Sequence, residues 1–188
     1  IVGLFRIEDV NKAAAFFDIR KLEHINATHL RALSAEEFTD RVTPWVGEAA
    51  PWPAENFDSD RFATMVGLVQ EKLRTFGDVC SFVDFLFLDD PVDDEESWKK
   101  TMVEAPSAVA VLDATAVAFA DCPWEAEVLK EAVAAAGAAV DLKLGKAQAP
   151  VRVAVTGRTV GPPLFETMAE CMERQEVLRR IARARARL

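Results

Sequence analysis

Few side chains in this sequence are of types that do chemistry, and fewer are spaced to do it together. His24 and His29 stand five residues apart in one helical stretch, which sets them about 140° apart around the helix, unsuited to joint metal ligation or a shared base role. Structural or surface places are expected for both. Cys80, Cys122 and Cys171 are separated by 42 and 49 residues, a spacing that makes neither a metal knuckle nor a redox pair, so buried, reduced thiols in a cytoplasmic setting are the expectation. Asp89, Asp90, Asp93, Asp94, Glu95 and Glu96 put six acids in eight residues around Pro91. Without the glycine and closing glutamate of a calcium loop, they read as a solvated joint and the charged first turn of a helix. No glycine-rich phosphate loop follows a strand, no nucleophile turn occurs and there is no HExxH-like pair. A catalytic site is therefore not expected, because catalysis needs several polar groups converging in a cleft.

The elements that must position these residues are helical. The chain has 188 residues, 51% of them hydrophobic and 28% charged, enough to fold as one domain or two small ones. Strand-like alternation is confined to Val151–Val155, so an all-α fold is the reading. Ile19, Leu22, Ile25, Leu30 and Leu33 recur at helical spacing over residues 18–33, and Ser34 with Glu37 makes a capping box for a second helix that Pro44 should end. Residues 48–56, with two prolines around Trp52, read as a loop. Asp58, Ser59 or Asp60 then caps a helix over residues 61–75, which leaves Gln70, Lys72 and Arg74 near its C-terminal end. Residues 79–88, rich in phenylalanine, must be buried between layers. Alanine-rich packing helices are expected over residues 106–120 and 124–136, and Gly137 should end the second. Residues 142–157 read as a short helix kinked near Pro150, or as turns and a loop. Helices over 164–172 and 174–188 close the chain. No apolar stretch reaches the length of a membrane span, and no targeting peptide is visible at Ile1.

Charge divides the chain. The net formal charge is −9, yet residues 141–188 carry ten Lys or Arg against five Asp or Glu. A polyanion is expected to be repelled by most of the molecule and drawn to the last quarter.

The basic stretch from Lys143 to Phe165 reads KLGKAQAPVRVAVTGRTVGPPLF. It resembles the KxGKxxxPxRxAxTGRxxxPxLFE region in the C-terminal part of bacterial glutamyl-tRNA synthetases. Phe17-Asp18-Ile19-Arg20-Lys21-Leu22-Glu23-His24-Ile25-Asn26 is similar to that family's FDxxKLxWxN, and Gln70-Glu71-Lys72-Leu73-Arg74-Thr75 to its QERxKT. The three matches fall in order and span nearly the whole chain. The resemblance implies an all-helical anticodon-binding cage in two subdomains, residues 1–88 and 89–188. It also implies that ATP, magnesium and glutamate belong to a nucleotide fold upstream, since no HIGH-like or KMSK-like motif occurs here. A piece of this kind should recognise and not react; it needs no cofactor of its own and is expected to be a monomer.

Under this resemblance the expected partner is tRNA(Glu), and possibly tRNA(Gln). Unstacked anticodon bases are read by hydrogen bonds to their edges and by stacking, while cations and amides hold the phosphates. Arg152 offers a planar fork for a base edge or phosphate. Gly161, Pro162 and Pro163 let a nucleotide approach the backbone, and the helix start at Leu164 favours an anion. Lys143, Lys146, Arg158 and Thr159 are further donors. Lys72 stands where the family commonly carries an arginine that discriminates the last anticodon base; lysine keeps the charge and loses the fork, which bears on discrimination against tRNA(Gln). It also reads as a solvated lysine at a helix end. His24 and His29 replace aromatics of the family pattern, and Cys171-Met172 replaces Leu-Gly. A second reading is a helical protein-interaction or regulatory module that kept the fold without RNA binding, which the acidic total would suit.

Overall fold

A computed structural model describes residues 6–9 and 16–188, apart from the side chains of Glu48 and Ala49. Among the described residues there are ten α-helices and no strand. Each of the first three helices starts where a side chain caps it. Asp18 accepts the backbone N–H groups of Arg20 and Lys21 at 3.0 and 3.1 Å and opens α1, Ile19–Ala32. Ser34 accepts that of Glu37 and opens α2, Ala35–Ala49. Asp58 opens α3, Ser59–Val69, in the same way. Pro44 does not end α2. It removes a single hydrogen bond, to the carbonyl of exposed Asp40 where water can substitute, while continuing the helix buries Val42 and Val46.

Two expectations about the first half fail for identifiable reasons. Of the five apolar residues at helical spacing, Leu30 is buried, together with Ala27, and Leu33 half-buried, whereas Ile19, Leu22 and Ile25 are exposed. The helix α3 stops at Val69, six residues early. There the Gln70 backbone N–H still bonds the Val66 carbonyl, while its side-chain amide donates to the carbonyls of Leu30 and Leu33, at 2.9 and 3.0 Å, satisfying the end of α1. Trp52 is buried against Phe57 and Phe87; the loop around it holds a single 3₁₀ turn, Ala54–Asn56. The phenylalanine-rich segment forms α4, Val79–Phe87, with nearly every side chain buried.

After the acidic run come α5, Glu95–Trp98, a π-helical turn, Lys99–Val103, and the packing helices α6, Ala108–Phe119, and α7, Ala126–Ala138. Gly137 lies inside α7 and does not end it. A Cβ there would come 2.4 Å from the Cβ of Ala147, so this glycine lets α7 lie against α8, Leu144–Thr156. Gly137→Ala should lower stability by about 1–3 kcal/mol, as overpacking does; an unchanged thermal midpoint would show that the pair of helices is not tightly apposed. Pro150 sits within α8, which is one continuous helix, and Val151–Val155 is part of it, buried by α6, α7 and α10. Gly157 ends α8 with a φ of 78°, and a Cβ on it would meet the Val92 carbonyl. The last helices are α9, Leu164–Cys171, and α10, Arg174–Ala186.

The acids of the run are exposed except half-buried Asp93, and Asp94, Glu95 and Glu96 form the charged start of α5 as expected, but Asp90 and Asp93 are also paired. Arg179 donates to Asp90 at 2.6 Å, Arg183 to Asp93 at 2.9 Å, and Arg187 also to Asp93. Arg185 pairs with Asp113. The arginines of α10 are thus largely neutralised by acids of the same chain, which corrects the expectation that the last quarter as a whole draws a polyanion. Arg179 donating to Asp90 holds that carboxyl below its ordinary range. Its contribution is therefore present above pH ~4 and lost as the pH falls through the lowered folded value. The melting temperature should drop below about pH 4, less so in Asp90→Asn; equal acid sensitivity in both proteins would show that the pair contributes nothing.

Candidate nucleic-acid interface

Lys72 is held on a tight turn and not on a helix. Leu73 is fully buried beside it, the Asp78 carboxylate accepts the backbone N–H groups of Arg74 and Thr75 at 3.2 and 2.8 Å, and the Asn26 amide donates to the Arg74 carbonyl. These bonds fix the turn from both sides and leave Lys72 and Arg74 exposed. Eighty residues later in the sequence, Arg152 lies on α8 one turn beyond Gln148, on the same face. Both groups meet in one groove of about 590 Å³, whose lining includes Lys72, Arg74, Phe82, Gln148, Arg152 and Val160. Asp78, Thr159 and Gly161 complete the wall.

The groove has the parts that reading a loose nucleobase requires. Phe82 offers an aromatic face, Gln148 an amide for a base edge, and Val160, 72% exposed, an apolar contact. Arg152 and Lys72 have no carboxylate within 4.0 Å among the described residues, unlike the arginines of α10. Partial burial lowers the pKa of Arg152, and the charge of Glu166 opposes this. One guanidinium nitrogen donates to the Pro162 carbonyl at 2.6 Å. Arg152 therefore also shapes the Thr159–Pro162 loop that forms the groove's far wall.

The other sequence candidates fall in different places. Arg158 is not a free donor: it grips both oxygens of Asp84 at 2.6 and 2.7 Å and the Ser81 carbonyl, pinning the end of α8 to α4. Breaking this nearly buried pair with Asp84→Ala should cost about 3 kcal/mol, read as a shift in denaturation midpoint; a loss below about 0.5 kcal/mol would show the clamp to be incidental. Thr159 shares a hydrogen bond with Ser97 at 3.1 Å and lines the groove. Gly161 lines it too, and Pro162 contributes its carbonyl. The Leu164 side chain is taken into the core. Lys143 and Lys146 are exposed at the N-terminal end of α8, and the groove does not include them; Lys146 lies about 9 Å along the axis from Arg152 and two-thirds of a turn away.

Another cavity, of about 930 Å³, lies behind the same loop and is lined by Asp84, Asp93, Asp94, Glu95 and Glu96 with Arg158 and Lys100. Its acids would repel a polyanion. Among the described residues no group of three or more His, Cys, Asp or Glu could hold a metal ion, and no single helix is long and apolar enough to cross a membrane. Cys80 and Cys171 are buried and all three thiols are free; burial pushes Cys171 up to about 11. Sequence reasoning missed Gln148 and Phe82 as groove residues, because neither belongs to a charge pattern and only the fold places them beside Arg152.

The fold is all-α with a groove lined by cations and one phenylalanine, and the pattern of a family described as "Anticodon binding domain" matches residues 37–185. The chain belongs to that family. It is 50% identical over 191 aligned residues to the glutamate–tRNA ligase of Thermobifida fusca, covering 100% of this chain and 40% of the relative. With that of Salinispora arenicola the identity is 47%, covering 98% of this chain and 40% of the relative. The chain spans about two-fifths of the length of these glutamate–tRNA ligases. A glutamate tRNA ligase from Elizabethkingia meningosepticum, solved in complex with its amino acid, has the same fold, with a TM-score of 0.73 at 23% identity over 97% of this chain and 35% of that one.

Proposed function

We propose that this chain reads the anticodon of tRNA(Glu) for a ligase that attaches glutamate to it with ATP and magnesium, the chemistry lying in the remainder of that ligase. The observation that carries this reading is the meeting of Lys72 and Arg152, both without a carboxylate partner among the described residues, in one groove with Phe82 and Gln148. In this reading residues 1–88 and 89–188 are two helical subdomains, one supplying Lys72 and Phe82, the other Gln148, Arg152, Thr159 and Gly161. Bases enter the groove, where Arg152 and Gln148 bond to their edges and Phe82 stacks. Arg158 and Pro162 position the loop. Lys143 and Lys146 attract phosphates farther along the strand, and at Leu164 only the backbone is offered. The protein acts as a monomer in the cytoplasm.

The test is binding of tRNA(Glu), and of the same tRNA with its anticodon bases exchanged, across a series of salt concentrations. Affinity should fall as salt rises and should favour the native anticodon. If neither RNA binds, or binding ignores both salt and anticodon, the reading is wrong and an interaction module takes its place. For specificity, Lys72→Gln should change the ratio of tRNA(Glu) to tRNA(Gln) affinities by roughly 5-fold or more, about 1 kcal/mol, and should change the ratio more than either affinity. A constant ratio would remove Lys72 from the set that reads bases.

A further inference from the structure

A second cavity, of about 740 Å³, adjoins the reading groove and shares Lys72 and Arg74 with it. Its other wall is α1, where Arg20, His24, Ala27 and Arg31 follow one another at three- and four-residue steps and so share a face. Arg20 and Arg31 are exposed, and neither has a carboxylate within 4.0 Å among the described residues. Only Arg74 is paired there, with Glu23 at 3.2 Å. In a chain of net charge −9, whose α10 arginines are matched by acids, a line of unmatched cations is not a by-product of composition. The lining also differs in kind from that of the groove. It carries arginines and the His24 imidazole, and it lacks the side-chain amide that the groove has in Gln148.

We infer that this cavity is a second RNA subsite, which binds the phosphates flanking the read bases through Arg20 and Arg31, without regard to base sequence. The inference rests on the RNA-binding reading above and adds a division of labour to it. Aromatic and amide groups beside Arg152 meet bases, whereas the α1 face meets backbone. From Arg20 to Arg31 the helix rises about 16 Å, more than the spacing of neighbouring phosphates on one strand, so two separate phosphates can be engaged.

The experiment compares the parent protein, Arg20→Ala/Arg31→Ala and Arg20→Lys/Arg31→Lys for binding of tRNA(Glu) and of its anticodon-exchanged form over a salt series. The alanine pair should bind both RNAs more weakly by the same factor, roughly tenfold or more. Its plot of log affinity against log salt should be shallower by about 1.4, which corresponds to two contacts to a single strand. The lysine pair should stay within about threefold of the parent, since a phosphate needs charge more than a fork. Both side chains are exposed, so the melting temperature should not move. If the alanine pair binds like the parent with the same slope, or changes the ratio between the two RNAs, the subsite is refuted. The function stands in that case provided Arg152→Ala still abolishes the anticodon preference. A parent protein that binds neither RNA overturns both readings.

Discussion

Arg152→Ala is expected to weaken binding of tRNA(Glu) by about 2–3 kcal/mol, roughly 30- to 150-fold, with most of the preference for the native anticodon lost. Two losses add. The fork that meets a base edge or phosphate disappears, and the Pro162 carbonyl loses the donor that holds the Thr159–Pro162 loop against α8. Arg152→Lys separates them: a lysine can still donate to the carbonyl but presents no second, coplanar donor, so its affinity should lie between those of the parent and the alanine variant. Equilibrium binding at fixed salt measures both. An alanine variant that binds and discriminates like the parent would place the reading groove elsewhere.

The largest expected effect on stability belongs to Arg180. Its side chain is wholly buried and donates to the Val155 carbonyl at 2.7 Å, the Phe85 carbonyl at 2.6 Å, the Leu88 carbonyl at 3.1 Å and the Glu176 carboxylate at 2.7 Å. These bonds fasten the ends of α4 and α8 to α10. Glu176 in turn accepts from Arg61, which also donates to the Leu86 carbonyl. Burial pulls the Arg180 pKa down to about 10, so the group is still charged at neutral pH. Arg180→Ala removes the donor from three carbonyls and from one oxygen of Glu176, whose other oxygen keeps Arg61, and should lower the unfolding free energy by about 3–5 kcal/mol. That is a large part of the ~5–15 kcal/mol available to a domain. A chemical denaturation curve reads it directly, and a loss below 1 kcal/mol would mean that water replaces the arginine without penalty.

Arg180 also shows where the sequence stops being legible. Ser34, Asp58 and Asp18 announce their helix starts because a cap is a local bond between neighbours. Lys72 and Arg152 were legible through motif resemblance, and Phe82 and Gln148 were not, because nothing local marks a residue that matters only through a fold-made groove. The basic final quarter reads as a surface for a polyanion, yet its acid partners, Asp90, Asp93 and Asp113, stand about seventy to ninety residues away in sequence, beyond any periodicity. For the same reason the helical spacing that Ile19, Leu22 and Ile25 share with Leu30 does not tell which of them is buried, since the depth of a helix in the core is set by what packs on it. The early end of α3 coincides with long-range bonds, from the Gln70 side chain to the end of α1 and from the Asn26 side chain to the Arg74 carbonyl, that propensity does not contain.

The most direct test is a thermodynamic cycle between one side chain and the bases it is said to touch. Affinities are measured for the parent and Arg152→Ala against tRNA(Glu) and against tRNAs with each anticodon base exchanged in turn. If the guanidinium meets a base in the groove, the effects of the two changes fall short of additive by about 1 kcal/mol or more at one anticodon position and add at the others. Additivity at every position would mean that Arg152 acts only on the loop or on phosphates, and that bases are recognised somewhere other than between Lys72 and α8.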